Sequence, residues 1–296
     1  MHKRGFNKKI VPEVIRGIVY FVITAVVSCA VCIRIMDMAN LERSTLSDIS
    51  ERLEIIEQVS ATTPPVQEDP VGMMQDPLRG KKIVYDGDSI AAEREGNEGG
   101  YSKLIAELTG STYENFAVGG ARLSSCSERH SVVDNLINLP KDGDLYCFEG
   151  GINDYWANTP LGTCSANDYT GKLDTKTVCG AMETIFRYCL ETFPGKPVCF
   201  VITHKVQDTA TTKNANGDTF EDYRDAMAEV CEKYSIPYYD AFSESGLNGW
   251  NQTQSEQFLT GNSEGKSDGT HPNKEGYKRY YVPQMLELFR KIIPIS

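Results

Sequence analysis

From residue 81 onward, short apolar runs alternate with stretches of helical periodicity, and this alternation constrains the fold more than any other feature. The candidate strands are 82–85, 113–117, 145–148, 198–203 and 237–240. The candidate helices are 101–108, 132–139, 177–192, 220–234 and 274–292. Alternation of this kind is typical of right-handed βαβ units, which build a parallel sheet with helices on both faces. The sequence therefore predicts a single α/β domain over residues 81–296.

An uncharged run of 17 residues, 17–33, lies near the N-terminus. As a helix it would be roughly 26 Å long, close to the ~30 Å hydrocarbon thickness of a bilayer. Five basic residues precede it, which by the positive-inside rule keeps the N-terminus in the cytoplasm. We therefore predict a transmembrane anchor within residues 1–36, with the rest of the chain outside the cytoplasmic membrane.

Two forms of signal cleavage are the alternatives to this anchor. Ser28 and Ala30 form a small-x-small site, and the residues up to Cys29 loosely resemble a lipobox. Cleavage would give a secreted or a lipid-anchored protein. All three interpretations place residues 40–296 outside the cytoplasmic membrane.

Residues 37–80 are predicted to separate the anchor from the domain. Residues 37–63 have helical periodicity, which indicates either a solvated stalk or a short coiled coil that makes a weak homodimer through residues 40–60. Residues 62–77 contain four prolines and are predicted to be an extended linker. The predicted organisation is thus 1–36, 37–80 and 81–296.

The charge of the chain is unevenly distributed. Of the net charge of −11 over 296 residues, residues 1–36 contribute +5, which leaves −16 for the remainder. An acidic domain argues against nucleic acid as a partner, because phosphate binding needs a basic face. The same acidity disfavours polyanionic substrates and favours neutral ones.

The nine cysteines give weaker information. An odd number remains after the two in the apolar run, so at least one thiol is free. Cys147 and Cys199 fall in predicted strands and are expected to be buried and free. Cys164 and Cys179 flank a polar loop and are the pair most expected to form a disulfide. No CxxC pair lies beside histidines, so no zinc site is predicted.

Four polar, glycine-rich blocks follow predicted strands or precede the last predicted helix. In an open parallel sheet, functional sites lie at the carboxyl ends of the strands, so these blocks are expected to meet there. The blocks are Gly87-Asp88-Ser89-Ile90, Asn115-Phe116-Ala117-Val118-Gly119-Gly120, Gly150-Gly151-Ile152-Asn153-Asp154 and Asp268-Gly269-Thr270-His271-Pro272.

The residue types in these blocks indicate nucleophilic acyl transfer. A serine hydroxyl such as that of Ser89 needs a base, and His271 is the candidate. Asp268, three residues earlier, would hold the imidazole in the required tautomer. The backbone N–H groups of Ser89 and Gly120 and the side-chain amide of Asn153 would stabilise the developing oxyanion. A glycosidase is a poorer interpretation, since paired carboxylates would leave Ser89 and His271 without a role.

The four blocks together resemble those of the SGNH (GDSL-type) hydrolases, over roughly residues 81–296. The resemblance implies a flavodoxin-like α/β/α sandwich with five parallel strands. It also implies hydrolysis of esters or thioesters by a Ser–His–Asp triad, without a metal or an organic cofactor. The family's catalytic and oxyanion residues correspond here to Ser89, Gly120, Asn153, Asp268 and His271.

One residue beside the blocks departs from this pattern, and several others are candidates for substrate contact. Glu149 is interpreted either as a solvated loop charge or as a selector of cationic or hydroxyl-bearing substrates. An insert at 155–173 is expected to overhang the site. The candidate substrate contacts are Asp88, Asp154, Tyr155, Trp156 and His204. Asp154 has the alternative of holding its loop, and the two aromatic residues have two alternatives, stacking on a sugar or packing the insert.

The resulting hypothesis is a serine esterase that removes small acyl groups, such as acetyl, from carbohydrate. A lysophospholipase or thioesterase would use the same triad, and so would an acyltransferase that replaces water with another acceptor. A surface binding module without activity is the alternative of a different class, and it has no need of an intact triad.

Overall fold

The computed structural model describes residues 76–92, 98–165, 169–207 and 212–294. The predicted anchor, the stalk and the dimerising segment at 40–60 lie outside the described residues, as does almost all of the predicted linker. Among the residues that the structure does describe, no helix is long and apolar enough to cross a membrane.

A five-stranded parallel sheet forms the centre of the domain, as the sequence predicts. Its strands are β1 (Lys82–Asp86), β2 (Thr112–Asn115), β3 (Leu145–Gly150), β4 (Val198–Ile202) and β5 (Tyr238–Asp240). Their order across the sheet is β2-β1-β3-β4-β5, and every neighbouring pair is parallel. This is the order of flavodoxin-like folds, in which the chain changes direction between β1 and β3.

Helices connect the strands and cover the sheet. They are α1 (Gly100–Thr109), α2 (Val132–Asn135), α3 (Ile152–Trp156), α4 (Val178–Thr192), α5 (Phe220–Lys233), α6 (Ala241–Glu244), α7 (Gln252–Phe258), α8 (Lys274–Gly276) and α9 (Val282–Ile292). Polar side chains cap the two long central helices: Thr177 accepts from Gly180 N before α4, and Thr219 forms a capping box with Asp222 before α5.

The core consists of two apolar clusters, one on each face of the sheet. Alternate residues of β3 point to opposite faces, so Tyr146 and Phe148 pack in the cluster that includes α4 and α5. Leu145 and Cys147 pack in the cluster that includes α1 and α9. Because β3 is buried on both faces, its sequence is a nearly continuous apolar run.

Two predicted elements differ from the observed ones for local reasons. Strand β2 ends at Asn115 because its side-chain oxygen accepts from Ala117 N at 3.0 Å and turns the chain. The last predicted helix is divided, since a π-helical turn, Tyr277–Tyr281, separates α8 from α9. Pro283 lies in the first turn of α9 and cannot donate a helical hydrogen bond, which favours the wider turn before it.

Part of the insert at 155–173 contacts two helices of the domain. Ser165 donates its backbone N–H to Glu183 of α4 at 2.8 Å, and the Tyr169 hydroxyl donates to the Lys233 carbonyl of α5 at 3.3 Å. Ser165 and Tyr169 therefore pack against the two helices, and the overhang of the rest of the insert stays a prediction.

The predicted disulfide between Cys164 and Cys179 is also wrong, because the structure has both residues as free thiols. Burial at the start of α4 raises the pKa of Cys179 to about 12, which suppresses the reactive thiolate. Cys147 and Cys199 are buried, free and directly opposite each other on β3 and β4, in agreement with the sequence.

Candidate active site

The first block lies in the turn that follows β1, at the point where the sheet order reverses. Asp88 shapes this turn: its Oδ1 accepts from Ile90 N at 2.8 Å, and its carbonyl accepts from Ala92 N at 2.9 Å. The turn presents the Ser89 hydroxyl at the carboxyl end of the sheet, where sites in this type of fold form.

The fourth block brings an imidazole to this hydroxyl from 182 residues further along the chain. His271 Nε2 lies 2.9 Å from Ser89 Oγ, and His271 Nδ1 lies 2.6 Å from Asp268 Oδ2. Asp268 Oδ1 accepts from the backbone N–H groups of Thr270 and His271, each at 2.9 Å. The carboxylate therefore organises its own loop and orients the imidazole at the same time.

The hydrogen bonds to Asp268 also determine its charge. Partial burial acts to raise the pKa of this carboxyl, but the hydrogen bonds from His271, Asn262 and Thr270 outweigh burial and hold the pKa well below its usual range. Asp268 is thus a carboxylate that accepts from His271 Nδ1. This arrangement leaves Nε2 unprotonated and facing the Ser89 hydroxyl.

Each of the three predicted oxyanion donors keeps an N–H available. Within the described part of the chain, the backbone N–H groups of Ser89 and Gly120 donate to no other group. The third is Asn153, whose Nδ2 donates to Asp88 Oδ2 at 3.0 Å. That bond uses one amide hydrogen and fixes the direction of the other, which remains for a substrate oxygen.

Gly120 has a left-handed conformation, with φ of 79°, which a residue with a side chain adopts only with strain. A Cβ at this position would lie 2.7 Å from Nη1 of Arg129. The exposed Arg129 guanidinium is therefore beside a predicted oxyanion donor. Nothing in the sequence pointed to Arg129, because the direction of a loop side chain is not encoded by a local pattern.

Four of the five candidate substrate contacts are buried, and the structure corrects them. Asp154 accepts from Leu123 N at 2.8 Å and from the Ser124 hydroxyl at 2.6 Å, so it holds the loop of the second block in place. Tyr155 donates its hydroxyl to the Thr212 carbonyl at 2.7 Å. Asp88 is occupied by the turn and by Asn153, as described above.

His204 is the fourth of these corrections. It is fully buried, and its Nδ1 lies 2.7 Å from the Tyr281 hydroxyl. Burial lowers the pKa of His204 to about 3, so the ring is neutral and takes no part in binding a substrate. Trp156 alone among the five is exposed, and it stays a predicted contact.

Glu149 fits neither of its two interpretations, because its side chain is fully buried. It lies on β3 next to the first block, where Thr203 donates its hydroxyl to Glu149 Oε1 at 2.5 Å. The sequence singled out Glu149 as a departure from the pattern of the family's blocks. It could not show that the side chain is buried, because burial depends on residues that pack from other strands. Thr203 had no signal of its own beyond being the last residue of a predicted strand.

No group of three or more His, Cys, Asp or Glu side chains within the described ranges could hold a metal ion. The expectation that the reaction uses neither metal nor organic cofactor therefore stays a prediction that rests on the resemblance.

A serine, an imidazole and a carboxylate hydrogen-bonded in series are typical of a hydrolase of the nucleophilic acyl-transfer class. Residues 87–279 match the GDSL-like Lipase/Acylhydrolase family, and the chain belongs to that family. The predicted family is thus confirmed, and so is the prediction of an enzyme that hydrolyses ester bonds. No curated protein matches the chain at a significant level.

Solved structures share the same fold over most of the chain. One is 25% identical with a TM-score of 0.63, and the alignment covers 74% of this chain and 100% of that one. A protein from Lactobacillus plantarum is 20% identical with a TM-score of 0.63 and covers 72% and 98%. A possible lipase from Chitinophaga pinensis is 18% identical with a TM-score of 0.55 and covers 71% and 98%.

Proposed function

We propose that this protein is a membrane-anchored, outward-facing serine esterase that removes small acyl groups, such as acetyl, from carbohydrate. The observation that carries the catalytic part is the series of hydrogen bonds from Ser89 Oγ to His271 Nε2 and from His271 Nδ1 to Asp268 Oδ2, at 2.9 and 2.6 Å.

The proposed reaction has two acyl-transfer steps. Ser89 Oγ attacks the ester carbonyl while His271 Nε2 takes its proton, and the negative charge on the carbonyl oxygen is stabilised by the N–H groups of Ser89, Gly120 and Asn153. The alcohol then leaves with the proton from His271, and an acyl-enzyme remains. Water attacks this ester in the same way, which releases the acid and restores the serine.

Two exposed indoles support a carbohydrate as the alcohol part of the substrate. Trp156 is 48% exposed and lies three residues after Asn153 on α3, so the two side chains share one side of that helix. Trp250 is 60% exposed and follows Gly249, which packs directly on Gly269 in the loop of His271. One indole thus belongs to the helix of Asn153 and the other follows a glycine that packs on the loop of His271, and large flat apolar surfaces of this kind suit stacking against a sugar ring.

The substrate proposal is tested by comparing an acetylated oligosaccharide with p-nitrophenyl acetate. Changing Trp156→Ala or Trp250→Ala is expected to raise KM for the oligosaccharide by about 3–10-fold, since each removes a stacking surface worth on the order of 1 kcal/mol. The effect on p-nitrophenyl acetate should be much smaller. Leu190→Ala is the matched control, because it removes an exposed apolar side chain on α4. It should leave KM unchanged for both substrates.

The alternatives make different predictions in the same assay. Preference for long acyl chains would favour a lysophospholipase or thioesterase and contradict the acetyl proposal. Transfer of the acyl group to an added glycan in place of water would identify an acyltransferase.

The anchor part of the proposal rests on the uncharged run at 17–33 and the basic residues before it. We expect the full chain to sediment with membranes, to resist extraction at alkaline pH, and to be released by detergent. Loss of the first 75 residues should leave the protein in the supernatant. Recovery of the mature protein with an N-terminus near residue 30 would instead support the cleaved forms.

A further inference from the structure

Glu149 lies directly behind the nucleophile turn. It is the second-last residue of β3, and its side chain is 0% exposed. Gly87, two residues before Ser89, packs so closely on it that a Cβ there would lie 2.7 Å from the Glu149 carbonyl oxygen. Glu149 Oε2 lies 3.4 Å from Asp88 N. A substitution of Glu149 would therefore change the packing and the hydrogen bonding of the turn that carries Ser89.

Glu149 and Asp88 are both buried, and the backbone N–H of Asp88 donates to Glu149 Oε2 at 3.4 Å, so the two carboxyl groups are neighbours. Burial raises the pKa of both, and the negative charge of Asp88 raises that of Glu149 further, well above its usual range. Two adjacent buried carboxylates would repel each other without compensation, so the pair retains one proton.

The hydrogen bonds show which of the two carboxyl groups keeps that proton. Asp88 accepts from Ile90 N at 2.8 Å and from Asn153 Nδ2 at 3.0 Å, and donors of this kind favour the ionised form. Glu149 accepts a short hydrogen bond from the Thr203 hydroxyl and a long one, at 3.4 Å, from Asp88 N, and these do not offset the cost of burying its charge. Asp88 is therefore the carboxylate, and Glu149 is the acid that donates its proton to it.

The other groups near the pair agree with this assignment. Tyr101 and Tyr281 face Glu149 from α1 and from the π-helical turn, and burial keeps both phenols protonated. His271 is near Asp88, and its electrostatic effect acts to lower the pKa of the Asp88 carboxyl. His204, beside Thr203, is buried and neutral. No lysine or arginine of the described residues pairs with Glu149, so the proton is what compensates its burial.

We propose that Glu149 is a positioning residue that remains neutral, and that its carboxyl proton fixes the Asp88 carboxylate, which in turn orients the oxyanion-binding amide of Asn153 and the turn of Ser89. This inference rests on the proposed catalytic roles of Ser89 and Asn153. Glu149 acts through Asp88 and does not touch the substrate.

Kinetics of three variants test this role. Glu149→Gln keeps a neutral group that donates to Asp88 and accepts from Thr203, so kcat should stay within about threefold of the wild type. Glu149→Ala removes both bonds and should lower kcat by about 10–100-fold with little change in KM. Loss of a whole oxyanion donor lowers the rate by ~100–1,000-fold, and a misdirected Asn153 amide should lose part of that effect. In an Asn153→Ala background the same change should lower kcat less than threefold.

Infrared spectroscopy tests the proton without using activity. At pH 7 the wild type should show the C=O stretch of a neutral carboxylic acid that shifts on ¹³C-glutamate labelling, and Glu149→Gln should lack it. Glu183→Gln is the matched control. Glu183 is the other buried glutamate of the described residues, and despite burial its hydrogen bonds to Lys233 and Ser165 lower its pKa, so this variant should keep the band.

The two readouts separate the possible failures. Absence of the band in the folded wild type refutes the neutral Glu149 whatever the kinetics show. A kcat loss in Glu149→Gln equal to that in Glu149→Ala, or full additivity with Asn153→Ala, refutes the positioning role. A band without any dependence of activity on Ser89 would refute the proposed catalytic roles and leave the proton assignment intact. If Glu149→Ala does not fold, the Gln variant and the labelled wild type still decide the outcome.

Discussion

Ser89→Ala is expected to lower kcat for a short-chain ester by about 10⁴–10⁶-fold, the range over which loss of a nucleophile disables triad enzymes. The hydroxyl lies 2.9 Å from His271 Nε2, and alanine leaves the imidazole with no group to deprotonate. The residual rate would come from the oxyanion donors and substrate binding. Release of the alcohol, followed by absorbance, measures the effect, and a fluorophosphonate probe should label the wild type but not this variant.

Ser127→Ala is the control for this experiment. Ser127 is an exposed serine in the loop after the second block, so its removal should change neither the rate nor the labelling. Equal activity of Ser89→Ala and the wild type would contradict the assignment of the nucleophile. Labelling that persists in Ser89→Ala would show that the probe reacts at another residue.

The second large effect is expected for Asp268→Asn, through the tautomer of His271. The backbone N–H groups of Thr270 and His271 both point at Oδ1, so an asparagine would place its amide oxygen there. Its NH₂ group would then occupy the Oδ2 position and donate towards His271 Nδ1. The imidazole proton would move to Nε2, where it faces Ser89 and prevents the ring from acting as a base.

This substitution should lower kcat by about 10⁴-fold, with KM nearly unchanged. The measurement is the same ester assay, together with the rate of fluorophosphonate labelling, which should fall in parallel. Asp225→Asn, an exposed carboxylate on α5, is the matched control and should behave as the wild type. A loss of less than about tenfold in Asp268→Asn would show that Asp268 does not hold the tautomer.

Much of the fold was predictable because it depends on short-range patterns. The central strands β1, β3 and β4 are mostly apolar and buried, whereas the edge strand β2 is partly exposed, and all five predicted strands overlap the observed ones. Their boundaries differ where a single side chain intervenes, as Asn115 does at the end of β2. The helices α3, α6 and α7 were not predicted, because elements of four to seven residues are too short to show a clear period.

The residues predicted for catalysis come from distant parts of the chain, and the structure brings them to one edge of the sheet. Ser89 and His271 are 182 residues apart, yet both follow from the rule that sites lie at the carboxyl ends of parallel strands. Their catalytic roles remain predictions until the variants are assayed. The substrate contacts were less accessible to prediction, since a residue next to a motif can point into the core as easily as into the site.

The sequence by itself determined the order of the five strands and the long helices along the chain, the family and the identity of the candidate triad, because periodicity and motif spacing are local properties of the chain. The tertiary structure decided which polar groups are buried. Asp154 accepts hydrogen bonds from a loop 30 residues away in the chain. His204 is hydrogen-bonded to the Tyr281 hydroxyl, and buried Glu149 accepts from the Thr203 hydroxyl. Burial and proton location depend on every element that packs around a group, and no stretch of sequence contains that information.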